Sequence, residues 1–380
     1  MLSIKNRVIS NDLSQKILKI LNEKNLSNIK INEELISYIS KLPNIVHPKI
    51  KKYDNNFEII KIVGEIKKHP FKAMNGTELL SEKDLLKITG LNYFCGERSY
   101  YFTGDLTKFE QALIDFTVQK LLKKKFILLS VPDILYDNII ESCGMPTKGT
   151  RSQIFKLNSD IYGSGWCLSG TSEMAIAAFF MNSNLNAKML PLYIAAVSRC
   201  YRAEISNLAA EKGIYRVHQF TKVEMFGVCL PSQSDELLEL FREIQEELFS
   251  SYDINYRVID MAPCELEKKA YRKYDIEAWM PGLNQYGEIS SCTNCRDYQS
   301  RRLNIRCGTE FVHTVNGTAC AIPRIVNAIA ETHQTKQGRV EIPIALRSLV
   351  GFDVLGMKRG PNMRRIQKIP KNLKRNCYIF

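Results

Sequence analysis

The sequence predicts an α+β protein in which helices flank an antiparallel β-sheet. Two observations favour this class over a regular α/β fold. Short strand-like runs mostly follow one another through hairpins and long insertions, not through repeated strand–helix–strand units. Strong amphipathic helices separate some of these runs, at residues 106–124 and 234–251. With 45% hydrophobic residues among 380, the chain can bury one large core beside a smaller region.

The other elements follow from local patterns. The helix at 106–124 ends in consecutive lysines, which suit a helix C-terminus. A buried strand is predicted next, at 126–131, and Pro132 stops it. Further helices are predicted at residues 81–89, 172–181 and 322–332. Further strands are predicted at residues 192–197, 256–260, 275–280, 286–291 and 311–315.

Three regions are expected along the chain. Residues 1–42 hold two amphipathic stretches, which predict a short helical hairpin or, equally, a helix packed on the main body. Pro43 and Pro48 mark a linker, because two prolines so close together prevent a continuous helix. Residues 43–353 form the main domain. Residues 354–380 carry eight Lys or Arg and no acid, so this basic tail is either solvated or able to follow a phosphate backbone.

Composition narrows the class of function. Lys and Arg outnumber Asp and Glu by 53 to 40, and the net charge of +13 favours a polyanionic partner such as RNA. No apolar run has the length of a membrane-spanning helix, so no integral membrane protein is expected. The 11 cysteines lack a framework spacing, which indicates reduced thiols inside the cell, and Cys292 and Cys295 have no second pair to complete a zinc site. Two basic residues before Asp12 weakly match a mitochondrial presequence.

The most informative stretch is residues 200–224, where two strand-like runs flank a polar loop. Arg202 and Glu204 are two apart and would share one face of a strand. The residues that would share a face of the second run are Phe220, Lys222 and Glu224. Paired antiparallel, the runs offer a cation, carboxylates and an aromatic ring that suit a nucleotide, although such a pair is also compatible with charges facing water. Nothing matches a phosphate-binding P-loop or a G-x-G-x-x-G turn.

Two further segments carry oxygen ligands and a cation. In a strand, Glu288 and Ser290 would share a face, and Ser291 near the strand end would reach the same pocket, where a carboxylate and a hydroxyl suit Mg²⁺. Asn316 and Gly317 predict a tight turn. The helix after it would begin near Pro323 and carry Arg324 at its positive end, which favours a phosphate. Each segment alone is also typical of an exposed surface.

A fourth segment, Gly-Thr-Ser-Glu at residues 170–173, precedes a helix. A Thr or Ser cap followed by an acid is a common helix start, and it is compatible with a polar ligand clamp at the edge of a pocket.

In this order and spacing, the segments resemble the three signature motifs of class II aminoacyl-tRNA synthetases. Within that class they resemble seryl-tRNA synthetases, and the animal mitochondrial branch in particular. The resemblance covers residues 47–353. The matching segments are residues 123–132 for motif 1, 200–224 for motif 2 and 316–334 for motif 3, with similarly placed strings at 171–173, 288–291 and 298–303.

The resemblance implies a role for each matching residue. Arg202 would hold the α-phosphate of ATP and Arg324 the γ-phosphate, and both would stabilise charge during catalysis. Phe220 would stack on adenine. Glu288 and Ser291 would also hold Mg²⁺. The other residues implied in ATP binding are Ala203, Glu204, Val217, Ile289 and Ser290. Those implied in L-serine binding are Thr171, Ser172, Glu173, Glu224 and Thr318.

The implied reaction is the ATP-dependent activation of L-serine to seryl-adenylate. The seryl group then moves to the 3′ end of tRNA(Ser), in the mitochondrial matrix. A homodimer formed through the motif 1 region is also implied. The alternative is a catalytically inactive paralogue that binds RNA or a protein partner. A silent paralogue would be free to lose the ATP arginines and the serine carboxylates, and the chain keeps both sets, which favours an active enzyme.

Overall fold

The computed structural model describes residues 15–16, 38–39, 41–53, 56–91, 95–149, 152–204 and 213–357. Most of the predicted N-terminal helical hairpin lies outside the described residues. The centre of the loop between the two runs of residues 200–224, and the chain after Met357, also lie outside them. Among the residues that the structure describes, no helix is long and apolar enough to cross a membrane.

One eight-stranded sheet organises the molecule, as predicted. Its spatial order is β1-β5-β6-β7-β8-β4-β3-β2, and neighbouring strands are antiparallel except for the parallel pair β2 and β3 at one edge. The strands are β1 Glu58–Val63, β2 Ile127–Leu129, β3 Leu192–Tyr201, β4 Gln219–Cys229, β5 Tyr256–Asp260, β6 Arg272–Met280, β7 Gln285–Arg296 and β8 His313–Ala321.

Helices surround the sheet. They are α1 Gly76–Glu82, α2 Asp105–Lys123, α3 Asp137–Ser142, α4 Ser159–Tyr162, α5 Ser172–Phe179, α6 Ser234–Ser250, α7 Tyr298–Leu303, α8 Ile322–Thr332 and α9 Ile344–Val350. Four small two-stranded pairs complete the described fold: Leu86–Lys87 with Tyr101–Phe102, Ile134–Tyr136 with Trp166–Leu168, Arg306–Cys307 with Glu310–Phe311, and Val340–Glu341 with Val354–Leu355.

The main core lies between one face of the sheet and helices α2, α6 and α8. Phe241 and Ile244 on α6 and Ile325 on α8 are fully buried there, at helical spacings that place them on one stripe of each helix. On the other face, α5 covers only the side of the sheet that contains β3 and β4, where Ile194 and Phe226 form a second core with Ile176. The helices of the described part of the chain leave some of the middle of that face open.

Several local predictions differ from the structure. The helix predicted at 81–89 begins earlier, because the Asn75 side chain caps it by accepting from the Glu78 N–H, and it ends at Glu82. Asn316 and Gly317 form no turn, since both lie inside β8 and pair with β7 and β4. Gly317 is needed for close packing: a Cβ there would lie 3.0 Å from Cβ of Cys292.

The third difference concerns the strand after α2, which is not buried. Phe126 is buried against Tyr193 and Phe241, but β2 itself forms the outermost strand of the sheet. Its side chains Ile127 and Leu128 are 51% and 44% exposed. The apolar run of the sequence thus marks an uncovered edge of this chain.

The start of the basic tail, expected at Val354, also differs from the structure, because Val354 and Leu355 belong to the folded domain. They pair with Val340–Glu341, and Leu355 is buried in the main core. The folded body therefore extends beyond residue 353.

Candidate active site

The uncovered middle of the sheet forms the floor of a cavity of about 720 Å³. Side chains of β4, β6, β7 and β8 line it, and the first turn of α8 and the segment before α5 form parts of its rim. Of the residues that the sequence assigns to ATP and serine, all but Ala203 and Ser172 line this cavity. The cavity combines apolar wall with several charges of both signs, as expected for a polar ligand.

The motif 2 hairpin is confirmed, with β3 and β4 antiparallel and Cys200 opposite Phe220. The strand ends at Tyr201, and Glu204 has a positive φ of 41°, so the predicted two-residue alternation does not extend to Glu204. The Arg202 N–H nevertheless donates to the His218 carbonyl at 2.9 Å, which continues the pairing by one step.

Arg202 is positioned by two neighbours. Its guanidinium lies 5.4 Å from the ring centroid of Phe220, a cation–π contact, and its Nε donates to the Gly170 carbonyl at 3.3 Å. The backbone N–H of the next residue, Ala203, donates to the Gln153 carbonyl at 2.8 Å. Arg202 and Phe220 therefore present a cation and a ring to the same part of the cavity.

Glu204 is buried although the strand has ended before it. Oε2 of Glu204 lies 3.4 Å from Nη1 of Arg216, across the mouth of the hairpin. Val217, on the same return segment, is buried and lines the cavity. Glu204, Val217 and the Phe220 ring thus line the same cavity.

A second cluster of polar side chains lies near the start of β4. Phe220, Lys222 and Glu224 share a face, as the alternation predicts. Oε2 of Glu224 accepts from the hydroxyls of Thr171 at 3.3 Å and Thr318 at 3.5 Å, and it also contacts Nζ of Lys222. Lys222 in turn donates to Oγ1 of Thr171 at 2.9 Å. This group is small, buried and rich in hydroxyl and carboxylate oxygens.

The start of α5 brings Glu173 to the same region. Oγ1 of Thr171 accepts from the Glu173 N–H at 3.3 Å, which confirms the predicted cap. The Glu173 carboxylate is buried and bonds to the side chains of Lys269, Gln299 and Asn316. Ser172 is buried but does not line the cavity, and within the described chain its hydroxyl has no hydrogen-bond partner.

A β-bulge rearranges the Glu288 segment. Glu288 pairs with Glu277 and Ser290 with Ile276, so Ile289 is an extra residue between them. Glu288, Ser290 and Ser291 all line the cavity, and the bulge brings Glu288 and Ser291 to the same face of the strand. The extra residue breaks the predicted two-residue alternation between Glu288 and Ser290, and Ser291 lies within the strand instead of near its end.

The Ser290 hydroxyl is used inside the protein. It donates to the Thr318 carbonyl at 2.5 Å and accepts from Nε2 of Gln245 on α6 at 2.9 Å. Gln245 also donates to the carbonyls of Thr318 and Ser291. These bonds lock β7 to β8 from behind the cavity.

Arg324 extends from the first turn of α8, with Pro323 before it as predicted. Nη1 of Arg324 lies 3.1 Å from Oε2 of Glu288 and 3.2 Å from the Glu288 carbonyl oxygen. Its guanidinium stacks 4.7 Å from the ring centroid of Tyr215, whose hydroxyl donates to the same carbonyl at 2.7 Å. Burial opposes the ionisation of Glu288, but Arg324 and Lys273 outweigh it and lower the pKa of Glu288 to about 2.

Sequence reasoning assigned no role to several residues of the cavity. Lys222 lies on the predicted face of β4, so the two-residue alternation of this strand already placed it beside Phe220 and Glu224. Nothing in the sequence marked Lys269 or Lys273 as parts of the site, since both reach it only through the loop and strand that follow β5. The same holds for Tyr215, whose position depends on how the hairpin closes over β7.

The fit of Mg²⁺ can be judged from the ligands present. Glu288 is held ionised, and the bulge aligns it with the Ser291 hydroxyl, so two oxygen donors face the cavity where a polyphosphate would supply others. No group of three or more His, Cys, Asp or Glu in the described residues is arranged to hold a metal ion alone. The site therefore suits a magnesium ion that arrives with a nucleotide.

Comparison with known proteins identifies this arrangement. Residues 155–333 match the tRNA synthetase class II core domain (G, H, P, S and T). A mitochondrial serine–tRNA ligase of Mus musculus is 38% identical over 90% of this chain and 68% of its own length. The serine–tRNA ligase of Borreliella burgdorferi (strain ZS7) is also 38% identical, over 88% of this chain and 80% of its own length.

A solved structure agrees with the sequence relatives. The crystal structure of seryl-tRNA synthetase from Pyrococcus horikoshii complexed with ATP has a TM-score of 0.79 and 30% identity, and the match covers 90% of this chain and 88% of that chain. The fold is thus that of the class II aminoacyl-tRNA synthetases. Within that class, the chain belongs to the seryl-tRNA synthetase family.

Proposed function

We propose that the protein is an active serine–tRNA ligase, which joins L-serine to tRNA(Ser) with ATP. The observation that carries the proposal is the single cavity in which Arg202, Phe220 and Arg324 stand beside the buried carboxylates Glu173 and Glu224. A catalytically inactive paralogue would have no need to keep two separate charged groups assembled in this way.

ATP would bind over the hairpin and the first turn of α8. Phe220 offers its ring to adenine, and Glu204 offers a carboxylate to the adenine amino group, with Ala203 and Val217 at the edge. Arg202 and Arg324 would take the phosphates, because both side chains line the same cavity. Binding ATP requires Arg324 to exchange its contact with Glu288 for a phosphate, which leaves Glu288 and Ser291 for Mg²⁺.

Serine would bind in the part of the cavity that is lined by Thr171, Glu173, Glu224 and Thr318. Carboxylates suit its ammonium, and the hydroxyls around Glu224 suit its side-chain hydroxyl. A site that pairs a substrate hydroxyl rejects alanine strongly, since the buried protein groups would then be left without a partner. Because Ser172 faces away from the cavity, its contribution would be limited to the helix start.

The first chemical step is the attack of the serine carboxylate on the α-phosphorus, with release of pyrophosphate. The residues would act by holding both substrates in line and by placing positive charge around the phosphate oxygens. Mg²⁺ bound with ATP would neutralise part of the polyphosphate charge. In the second step, the 3′-terminal ribose hydroxyl of tRNA(Ser) takes the seryl group, and AMP leaves.

Serine-dependent exchange of labelled pyrophosphate into ATP tests the proposal. The native protein is expected to catalyse the exchange with serine and not with alanine. Arg202→Ala should abolish it, and Arg98→Ala offers a matched control at an arginine that does not line the cavity. A folded native protein without serine-dependent exchange would contradict the proposal and support the inactive paralogue.

We also propose that the protein works in mitochondria. The support is its likeness to the mitochondrial ligase of Mus musculus, but the bacterial relative is equally similar, so localisation needs a direct test. Fluorescence of a full-chain fusion is expected to coincide with a mitochondrial marker. Uniform cytoplasmic fluorescence would contradict this proposal and leave the enzymatic one untouched.

The basic C-terminal residues are proposed to bind tRNA through its phosphates, as their charge suggests. Because Leu355 belongs to the core, the deletion that tests this begins at Lys358. The deletion should weaken tRNA affinity and reduce its dependence on salt, while pyrophosphate exchange stays unchanged. Unchanged aminoacylation would show that these residues are only solvated.

A further inference from the structure

The carboxylate of Glu173 already binds an ammonium group that belongs to the chain. Nζ of Lys269 lies 2.7 Å from Oε1 and 2.5 Å from Oε2 of Glu173. Oε1 also accepts from Gln299 at 2.6 Å and from Asn316 at 2.8 Å. Both members of the pair are buried, with 8% of Lys269 and 2% of Glu173 exposed. The acceptor capacity of this carboxylate is therefore largely filled by the protein itself.

A substrate ammonium and the Lys269 ammonium cannot both bind the Glu173 carboxylate. A carboxylate offers about four acceptor positions, and the protein donors here take most of them. Two ammonium groups on one buried carboxylate would also repel each other strongly, since little water screens them. The lysine side chain ends in the same chemical group as the amino end of an amino acid, so it is a direct competitor for that position.

A second carboxylate lies within reach of Lys269. Oε2 of Glu267 is 3.5 Å from the same Nζ, its side chain is 59% exposed, and Glu267 lines the same cavity. Burial lowers the pKa of Lys269, but Glu173 and Glu267 outweigh that effect and raise it well above its usual value. Lys269 is therefore protonated in this arrangement, where both carboxylates lie near its Nζ.

The backbone that carries Lys269 is fixed. The Asn44 side chain donates to the Lys269 carbonyl at 2.9 Å, and the Asn44 backbone N–H donates to the Lys268 carbonyl at 2.7 Å. The lysine stem passes close to Gly144, where an added Cβ would lie 2.9 Å from Cβ of Lys269. An exchange of carboxylates would therefore be a rotation of the side chain, with the loop in place.

We propose that Lys269 competes with the amino group of the amino acid substrate for the Glu173 carboxylate. It orients the Glu173 carboxylate, and the substrate ammonium replaces it as Lys269 turns to Glu267. The inference rests on the proposed function, because that function assigns Glu173 to the ammonium of serine. Lys269 and Glu267 then set the affinity for the amino acid without touching the reacting atoms.

Steady-state kinetics of two variants test the competition. Lys269→Met removes an intramolecular competitor whose effective concentration is in the millimolar range or above, so the KM for serine should fall on the order of ten-fold. Glu267→Gln removes the alternative carboxylate, so the KM for serine should rise by roughly two- to five-fold. The KM for ATP should stay constant in both. Glu265→Gln, an exposed acid in the same loop outside the cavity, is the matched control.

The opposite result would overturn the inference. If a folded Lys269→Met protein has a higher KM for serine and the KM of Glu267→Gln is unchanged, Lys269 helps to bind the amino acid. If Lys269→Met does not fold, Glu267→Gln and a structure of the native protein decide. A crystal structure with a non-hydrolysable seryl-adenylate analogue should place the ligand ammonium on Glu173 and Lys269 on Glu267.

The crystal structure with the analogue, together with pyrophosphate exchange, tests the competition and the proposed function separately. An analogue bound while Lys269 still contacts Glu173 would overturn the competition alone. A native protein that neither binds the analogue nor exchanges pyrophosphate would overturn the proposed function, and the competition would fall with it.

Discussion

At the scale of single residues, Phe220 gives the sharpest prediction for ATP. Its ring lies under Arg202 on the cavity face of β4. Stacking of a base on an aromatic ring is worth about 1–3 kcal/mol, so Phe220→Leu should raise the KM for ATP by roughly ten-fold. Phe220→Tyr keeps the ring and should stay near the native value. Equal KM values for ATP in Phe220→Leu and the native protein would show that adenine binds elsewhere.

Ser172 gives a prediction in the other direction. The sequence placed it with the serine-binding residues, but its side chain is buried outside the cavity, and its hydroxyl has no partner in the described chain. A buried hydroxyl without a hydrogen bond is costly to keep, so Ser172→Ala should leave the KM for serine unchanged and should not lower the free energy of unfolding.

Thr171→Ala is the matched comparison, because Thr171 caps α5 and also bonds to Glu224. It should raise the KM for serine and lower the free energy of unfolding by about 1 kcal/mol. Denaturant unfolding and steady-state kinetics measure both quantities. A rise in the KM for serine in Ser172→Ala would restore Ser172 to the binding site.

At the scale of elements, the bulge at Ile289 decides which side chains reach the site. Strict alternation along β7 puts Glu288 with Ser290, whereas one extra residue puts Glu288 with Ser291. A bulge has no reliable signal in a single sequence, because it depends on how the neighbouring strand pairs. The reversed face of β7 then delivers Ser290 to Gln245 on α6, which fixes the strands of the site from behind.

His313, the first residue of β8, links the sheet to the start of α6. It is 4% exposed, and its Nδ1 lies 2.8 Å from Oγ of Ser234. Burial first, and then the nearby Arg296, lower the pKa of His313 to about 4, although Asp297 and Asp235 act in the opposite direction. The neutral imidazole is therefore the form that the folded protein favours.

The pKa of His313 predicts how stability changes with pH. A folded pKa below the ordinary 6.5 gives a contribution that is complete above pH 6.5 and is lost as the pH falls towards 4. The loss in the free energy of unfolding is on the order of 3 kcal/mol over that range. His313→Gln should remove this part of the pH dependence. Urea unfolding at a series of pH values measures it, and identical slopes for the two proteins would contradict the assignment.

At the scale of the whole molecule, long amphipathic helices and the alternation of β4 were predictable because they depend on neighbours within one segment. Helix α8 was predicted at its observed bounds, and the hairpin of β3 and β4 paired as expected. Features that depend on distant partners were not predictable: Asn316 and Gly317 have turn-like composition, yet strands on both sides hold them extended. Lys269 enters the site for a similar reason, through a loop held by Asn44.

The same limit applies to β2, where an apolar sequence indicated burial but a single chain leaves the strand at the edge of its sheet. We expect a second copy to cover it, since exposed apolar edge strands otherwise favour uncontrolled pairing. Ile127 and Leu128 stand there at 51% and 44% exposure, close to Leu122 at 49%. A homodimer through residues 123–132 would bury Ile127 and Leu128.

Leu128→Asp should therefore convert the protein to a monomer, because it would bury a charge without a partner in the dimer interface. The isolated chain should fold as before, since the side chain is already half exposed in it. Ile62→Asp is the matched control, because Ile62 is 58% exposed on β1 at the opposite edge of the sheet. Sedimentation velocity should give a dimer for the native protein and for Ile62→Asp, and a monomer for Leu128→Asp. A monomeric native protein would contradict the homodimer, and a dimer that survives Leu128→Asp but not Ile62→Asp would place the interface elsewhere.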